Sequence, residues 1–255
     1  MTKSSGALRA VGIFLLALGL ALPARAGSPA RLDLEYHLYA LGIHAMTIRL
    51  RYKRGDDTYR ARLGVLTDGI VETFYEYRLN ANAKGSRDGA VLRPRRYTSN
   101  SRESEGGKRL KLKYADDGEI TIETDETLAT DELAARVQRG HRTIDPLSAL
   151  LTLIETVAAT GSCDAKIRVF DGKRRYDMTA ADGDAKDGVE CRVALEQIAG
   201  FRAREKDSPR YPKTMTIRLG RVAEGFPPMP VEVTASNFFG LLTLRLVDAK
   251  LTPAP

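Results

Sequence analysis

Residues 48–53 read Ile48-Arg49-Leu50-Arg51-Tyr52-Lys53, and residues 59–63 answer with Tyr59-Arg60-Ala61-Arg62-Leu63. Successive side chains of a strand point to opposite faces, so each segment has an apolar face and a cationic one. The same two-residue period recurs around it. Leu32, Leu34, Tyr36 and Leu38 alternate with Asp33, Glu35 and His37, and Leu110, Leu112 and Tyr114 alternate with Arg109, Lys111 and Lys113. One face in a core and one in water is the pattern of antiparallel sheets.

Turn chemistry separates these runs at Gly55-Asp56, at Asp116-Asp117-Gly118 and at Asp171-Gly172. Asp171-Gly172 reads as a two-residue hairpin loop of the primed type. About thirteen strands result, mostly joined by hairpins. The predicted fold is mainly β, a curved antiparallel sheet or open β-barrel with two helices. The first helix is expected over Asp131 to Gln138, with Thr130 as its N-cap. The second has Asp145 as N-cap, Pro146 at its first position and Gly161 past its end. Leu147, Leu150, Leu151, Ile154, Val157 and Ala158 form its apolar face, which is expected to plug or lid the concave side of the sheet. Thr67 to Tyr77 fits either a strand or a helical turn near the mouth of the sheet. The helical turn is favoured.

The chain has 255 residues, a net charge of +7 and two cysteines, a composition outside those of disordered, repeat and disulfide-dense chains. Its first residues form an address. Lys3 and Arg9 precede the apolar run Ala10–Leu22, Pro23 ends it, and Ala24-Arg25-Ala26 offers small residues at a cleavage site. As a helix the run would span only about 20 Å, short of a bilayer core of ~30 Å. The expectation is a cleaved signal peptide over residues 1–26, then a single β-rich periplasmic domain over 27–255 with no transmembrane segment. From Ala45 to Ala115 there are 17 Lys/Arg against 8 Asp/Glu. For an exported chain this excess suggests an anionic envelope surface or polymer rather than nucleic acid, although a solvated basic face also explains it.

Cys163 and Cys191 share the parity of apolar neighbours and, in an exported chain, read as a disulfide. If Lys173–Ala180 forms a strand between them, they start about 10 Å apart, beyond disulfide reach. The lead-in Gly161-Ser162 must then curl Cys163 inward. The rival, a catalytic Cys with His141, lacks an orienting third group. His37, His44 and His141 have no metal-ligand spacing. Asp182, Asp184 and Asp187 lack the glycine and glutamate of a calcium loop. No nucleophile elbow, phosphate loop or dinucleotide fingerprint is present. No catalytic residue, metal ligand or cofactor is therefore expected.

Several segments carry a resemblance. They are Thr143-Ile144-Asp145-Pro146-Leu147-Ser148-Ala149, then Cys163 leading into Val169-Phe170-Asp171-Gly172-Lys173-Arg174-Arg175-Tyr176, then Cys191 with Ile198-Ala199-Gly200-Phe201, and finally Pro230-Val231 and the strand after Phe239-Gly240. In that order they resemble the exported bacterial family known as domain of unknown function 3108. The resemblance implies a Gram-negative periplasmic protein with a curved antiparallel sheet, similar in shape to the open-barrel carriers of lipoproteins. It transfers no catalytic residue.

The function expected is non-enzymatic binding of a hydrophobic or lipid-like ligand in the hollow of the sheet, with Leu50, Tyr52, Leu63, Leu151 and Ile154 facing it. The alternative is an envelope-integrity scaffold that contacts protein or cell-wall polymer through the basic block. An envelope hydrolase stands third, and would need a close carboxylate pair in a cleft.

Overall fold

A computed structural model describes residues 30–103, 106–127, 142–185, 188–202, 205, 208, 212–238 and 240–253. The period-two segments become β1 (Ala30–Ala40), β2 (Ile43–Arg54) and β3 (Thr58–Thr67), followed by a short helix α1 (Gly69–Phe74). Then come β4 (Tyr77–Asp88), β5 (Val91–Glu103), β6 (Gly106–Tyr114) and β7 (Ile120–Thr124). Helix α2 (Pro146–Thr160) precedes β8 (Ala165–Phe170), β9 (Arg175–Asp182) and β10 (Val189–Ala199). The described chain closes with β11 (Thr214–Gly220), β12 (Met229–Asn237) and β13 (Gly240–Thr252).

All thirteen strands belong to one antiparallel sheet, in the order β7-β6-β5-β4-β3-β2-β1-β13-β12-β11-β10-β9-β8. The chain winds from β1 out to β7, crosses through α2 to the far edge, and winds back until β13 pairs with β1. The sheet is not closed, because no ladder joins β7 to β8. Those edges are the short strands, five and six residues long, which limits the row of unpaired backbone groups they present. Ile144 covers part of the β8 edge through a parallel bridge to Val169. The β8–β9 turn leans onto β6, where a Cβ on Gly172 would lie 2.6 Å from the Leu110 side chain. With φ at +95°, Gly172 is required both for the turn and for this close approach.

The apolar faces meet around α2. Leu32, Leu34, Leu50, Tyr52, Ala61, Ala83 and Leu112 from the first strands join Val169, Phe170, Val193 and Ile217 from the last in one core cluster. The helix begins and ends where its signals place it. The Asp145 side chain accepts from the Ser148 N–H, and Gly161 takes the left-handed conformation at φ 73°. Its burial differs from the single apolar face read from spacing. Ala158 is exposed and Leu150 only partly buried, whereas Ala149, Leu153 and Glu155 are buried together with Leu147, Leu151, Ile154 and Val157. A helix lying inside a curved sheet has protein on several sides, so burial is not confined to one face, and the last turn is the exposed part. It runs through the hollow as a plug about 22 Å long.

Three further outcomes concern local structure. The segment after Thr67 forms the helical turn α1, capped by Asp68. The β8–β9 connection has four residues, Asp171–Arg174, rather than the two expected. The Asp171 side chain accepts from the N–H groups of Lys173 and Arg174, and this side-chain turn replaces the tight primed turn. The disulfide Cys163–Cys191 is formed, with Cα atoms 5.5 Å apart. Cys163 lies ahead of β8 and passes over the end of β9, where the Asp182 carboxylate accepts from its N–H at 2.7 Å. That curl removes the separation of two strand spacings. The expected helix over Asp131–Gln138, the segment 1–26, His141 and Asp187 lie outside the described residues.

Candidate functional site

Two sets of polar groups sit within the barrel. Toward the end that carries the β2–β3 turn, Glu155 of α2 is 2% exposed. It accepts from the Tyr52 hydroxyl at 2.6 Å and from Arg54 through Nε at 2.9 Å and Nη2 at 3.1 Å, with Arg87 Nη1 at 4.0 Å. A buried carboxylate requires such partners, since each unpaired ion in the interior costs several kcal/mol. One turn from the N-terminus of the helix, Ser148 donates to Asp145 at 2.7 Å and shares a 2.7 Å hydrogen bond with the Tyr59 hydroxyl. Burial pushes the Asp145 carboxyl up to about 6, against hydrogen bonds from Ser148 that hold it down. The same desolvation raises the surrounding phenols Tyr59, Tyr97 and Tyr114. Glu155 with Tyr52 and Arg54, and Asp145 with Ser148 and Tyr59, satisfy one another inside a packed core.

The sequence-predicted ligand-facing residues fall in that core. Leu50, Tyr52, Leu151 and Ile154 are buried against neighbouring side chains, and Leu63 is partly buried beside them. Leu50 and Leu63 also border a cavity of about 910 Å³ whose other walls are polar residues of the outer face, among them Asp33, Arg51 and Arg62.

Further open space lies at the end of the sheet that carries the β1–β2 turn, called here the upper end. An apolar slot of about 260 Å³ opens among Tyr176 of β9, Leu195 of β10, Met215 of β11 and the loop residues Phe201 and Pro212, with Asp171 and Arg174 at its border. Desolvation raises the Asp171 carboxyl, opposed by the N–H groups of Arg174 and Lys173. Beside the slot is a polar vestibule of about 620 Å³, lined by Tyr75, Tyr77, Lys108, Glu126, Lys173 and Arg202 among others. Arg174 borders both spaces. Its guanidinium lies 5.6 Å from the centre of the Phe201 ring and donates to Glu205 at 2.8 Å.

Two carboxylates of the vestibule, Glu126 and Glu205, are committed to cations. Glu126 is held by Lys173 and lies 3.6 Å from Lys108. Burial would raise Glu205, but the hydrogen bonds from Arg174 and the Arg202 N–H overcome it and keep the carboxyl below its ordinary range. A carboxyl held low in this way, as Glu205 is, is a poor proton donor. Large apolar side chains stand exposed around the same end, on the β1–β2 turn (Leu41, 72%), α1 (Phe74, 82%) and the β12–β13 turn (Phe238, 67%). Among the described residues no group of three His, Cys, Asp or Glu is placed to hold a metal ion, and no helix is long and apolar enough to cross a membrane.

Sequence reasoning missed this site because its apolar wall comes from three strands and a loop. The one available signal was Val169–Tyr176, the most specific segment of the family resemblance, which supplies Asp171, Arg174 and Tyr176.

One comparison identifies the family, and none assigns a function. A family model described as "Protein of unknown function (DUF3108)" matches residues 35–193. Leu195, Phe201 and Met215 therefore lie beyond the matched segment. No curated protein matches the chain. Among solved structures, a beta-barrel-like protein of domain of unknown function DUF1849 from Brucella abortus is similar at 14% identity and a TM-score of 0.48. The likeness covers 89% of this chain and 99% of that one.

Proposed function

Starting from the premise that this chain belongs to the DUF3108 family, proteins of unknown function, we propose that it is an exported, non-enzymatic periplasmic protein that binds a lipid-like amphiphile at the upper end of its sheet. The observation that carries this reading is the apolar slot opening beside a charged vestibule, with Arg174 on the border of both. Ligand sites combine apolar walls with a few polar groups that fix orientation. At about 260 Å³ the slot suits one apolar arm of a ligand rather than a whole drug-sized molecule. The polar head would then lie among Lys108, Lys173 and Arg174. The exposed Leu41, Phe74 and Phe238 on the same rim support an approach to an apolar source of ligand.

The test is a titration of the full mature chain with a naphthalene sulfonate probe and with a short-chain lysophospholipid, comparing wild type with Met215→Trp and Leu195→Trp. Filling the slot is expected to weaken binding of both at least tenfold while leaving the thermal midpoint within a few degrees. Unchanged binding by both folded variants would overturn the slot as the site. N-terminal sequencing of the exported protein tests the processing expectation, with Gly27 as the first residue.

A further inference from the structure

On the outer face, strand register aligns cations that the linear sequence keeps apart. Arg31 pairs with Lys53, Lys53 with Arg60, Arg60 with Lys84, Lys84 with Arg96, and Arg96 with Lys113. The result is one row of six positive side chains across β1 to β6, perpendicular to the strands. Five inter-strand steps of ~4.8 Å make it about 24 Å long. Its ends are neutralised, Arg31 by Asp33 at 2.7 Å and Lys113 by Glu123 at 2.5 Å. The four central members, Lys53, Arg60, Lys84 and Arg96, have no ion pair or side-chain hydrogen bond with any described residue. Arg62, one row above and opposite Arg51, has none either.

Like charges directly opposite in a sheet destabilise it. Close by on the same face, Arg49 is paired with Glu35 and Arg51 with Asp33. A row left without acids is therefore a poor device for folding and a good one for an external anion.

The shape of the row narrows the partner. The sheet curves around α2, and the row follows that curve over six of its thirteen strands. Beside the row the outer face is recessed into a cavity of about 910 Å³, bordered by Arg31, Arg51, Arg62 and Asn82 among others. A flat bilayer cannot reach into a recessed face along its whole length, whereas a flexible chain can follow the row. We propose that the outer face of β1–β6 binds a flexible linear polyanion of the phosphate- or sulfate-bearing glycan class, laid across the strands along the row from Lys53 to Arg96. This site is on the opposite face from the core and independent of the upper-end slot.

The experiment measures binding of the full mature chain to a fluorescently labelled sulfated glycan, low-molecular-weight heparin, over a salt series. Counterion release makes log K fall linearly with log salt, by about one unit of slope per cation engaged. The variant Arg60→Gln/Lys84→Gln/Arg96→Gln is expected to bind at least tenfold more weakly at 50 mM salt and to lose between two and three units of slope. Its thermal midpoint should not fall. The control Lys166→Gln/Arg168→Gln/Arg221→Gln makes the same change in net charge off the row and should bind within twofold of wild type. An equal loss in both variants would show a response to net charge alone and overturn the proposal. So would salt-insensitive binding, or tighter binding to phosphatidylglycerol vesicles than to heparin. Loss of slot binding in Met215→Trp leaves these outcomes untouched, so the two proposals fail separately.

Discussion

Strands β2 to β6 carry arginine on both faces, and the two faces treat it in opposite ways. On the inner face, Arg54 and Arg87 converge on the single carboxylate of Glu155, which also takes the Tyr52 hydroxyl. On the outer face, Arg60, Lys84 and Arg96 stand opposite one another with no acid between them. The inner charges are held at short range in a desolvated setting, where removing one partner strands the others. The outer charges are in water, where screening keeps their repulsion small. A buried charge here is a structural commitment, while an exposed unpaired row is left free for a partner.

Breaking the inner side should give the largest effect. Glu155→Ala leaves Arg54, Arg87 and the Tyr52 hydroxyl without their shared acceptor, and is expected to lower stability by about 3–5 kcal/mol in chemical denaturation. A loss below about 1 kcal/mol would mean that water or another acid replaces the carboxylate, and the contrast between the faces would disappear.

The apolar part of the plug comes next. Leu151 is fully buried, and Leu151→Ala is expected to cost about 2–5 kcal/mol if the helix is packed on all sides. A much smaller cost with new binding of a hydrophobic probe would instead describe α2 as a mobile lid. Cys191→Ser tests the seam on the other half of the sheet. The bond closes a loop between residues 28 positions apart, and its removal should cost about 2–5 kcal/mol. Retention of the wild-type denaturation midpoint would show that the Cys163 curl is held by Asp182 alone.

A pH profile sharpens the inner side further. The folded Asp145 carboxyl is raised to about 6 from a reference of 3.8, so the folded state binds this proton more tightly than the unfolded chain. Stability from this group therefore rises as pH falls through 6 and levels off below about 4. Between pH 7 and pH 5 the gain is roughly 1 kcal/mol. Asp171, also raised by burial, acts in the same direction. Asp145→Asn should remove its share, which is read from the difference between the two profiles. Acids held low by cations, such as Glu123, act the other way and only at lower pH. A difference profile that is flat from pH 7 to pH 5 would contradict the desolvated setting of Asp145.

The smallest effect belongs to the outer face. Lys84→Gln relieves repulsion with Arg60 and Arg96, and should raise stability by about 0.2–1 kcal/mol, more at low salt than at high. A clear loss of stability would reveal a structural anion partner and remove the distinction between the faces.

The chain's own order of residues determined the strands, because a two-residue period between core and water is a local property that each segment carries alone. It also determined the ends of α2, through Asp145, Pro146 and Gly161, and the pairing of two cysteines of matching parity. The tertiary structure decided what depends on distance along the chain. Glu155 meets Tyr52 across 103 positions. The upper-end slot gathers Tyr176, Leu195, Phe201 and Met215 from four elements. The cation row exists only through the registers of five successive strand pairs. Charge counting located a basic block from Ala45 to Ala115, and the alternation put many of its cations on outer faces, but neither fixes which residue stands opposite which. Register is set by turns, bulges and ladder hydrogen bonds, and it is register that turns a scattered excess of charge into a line.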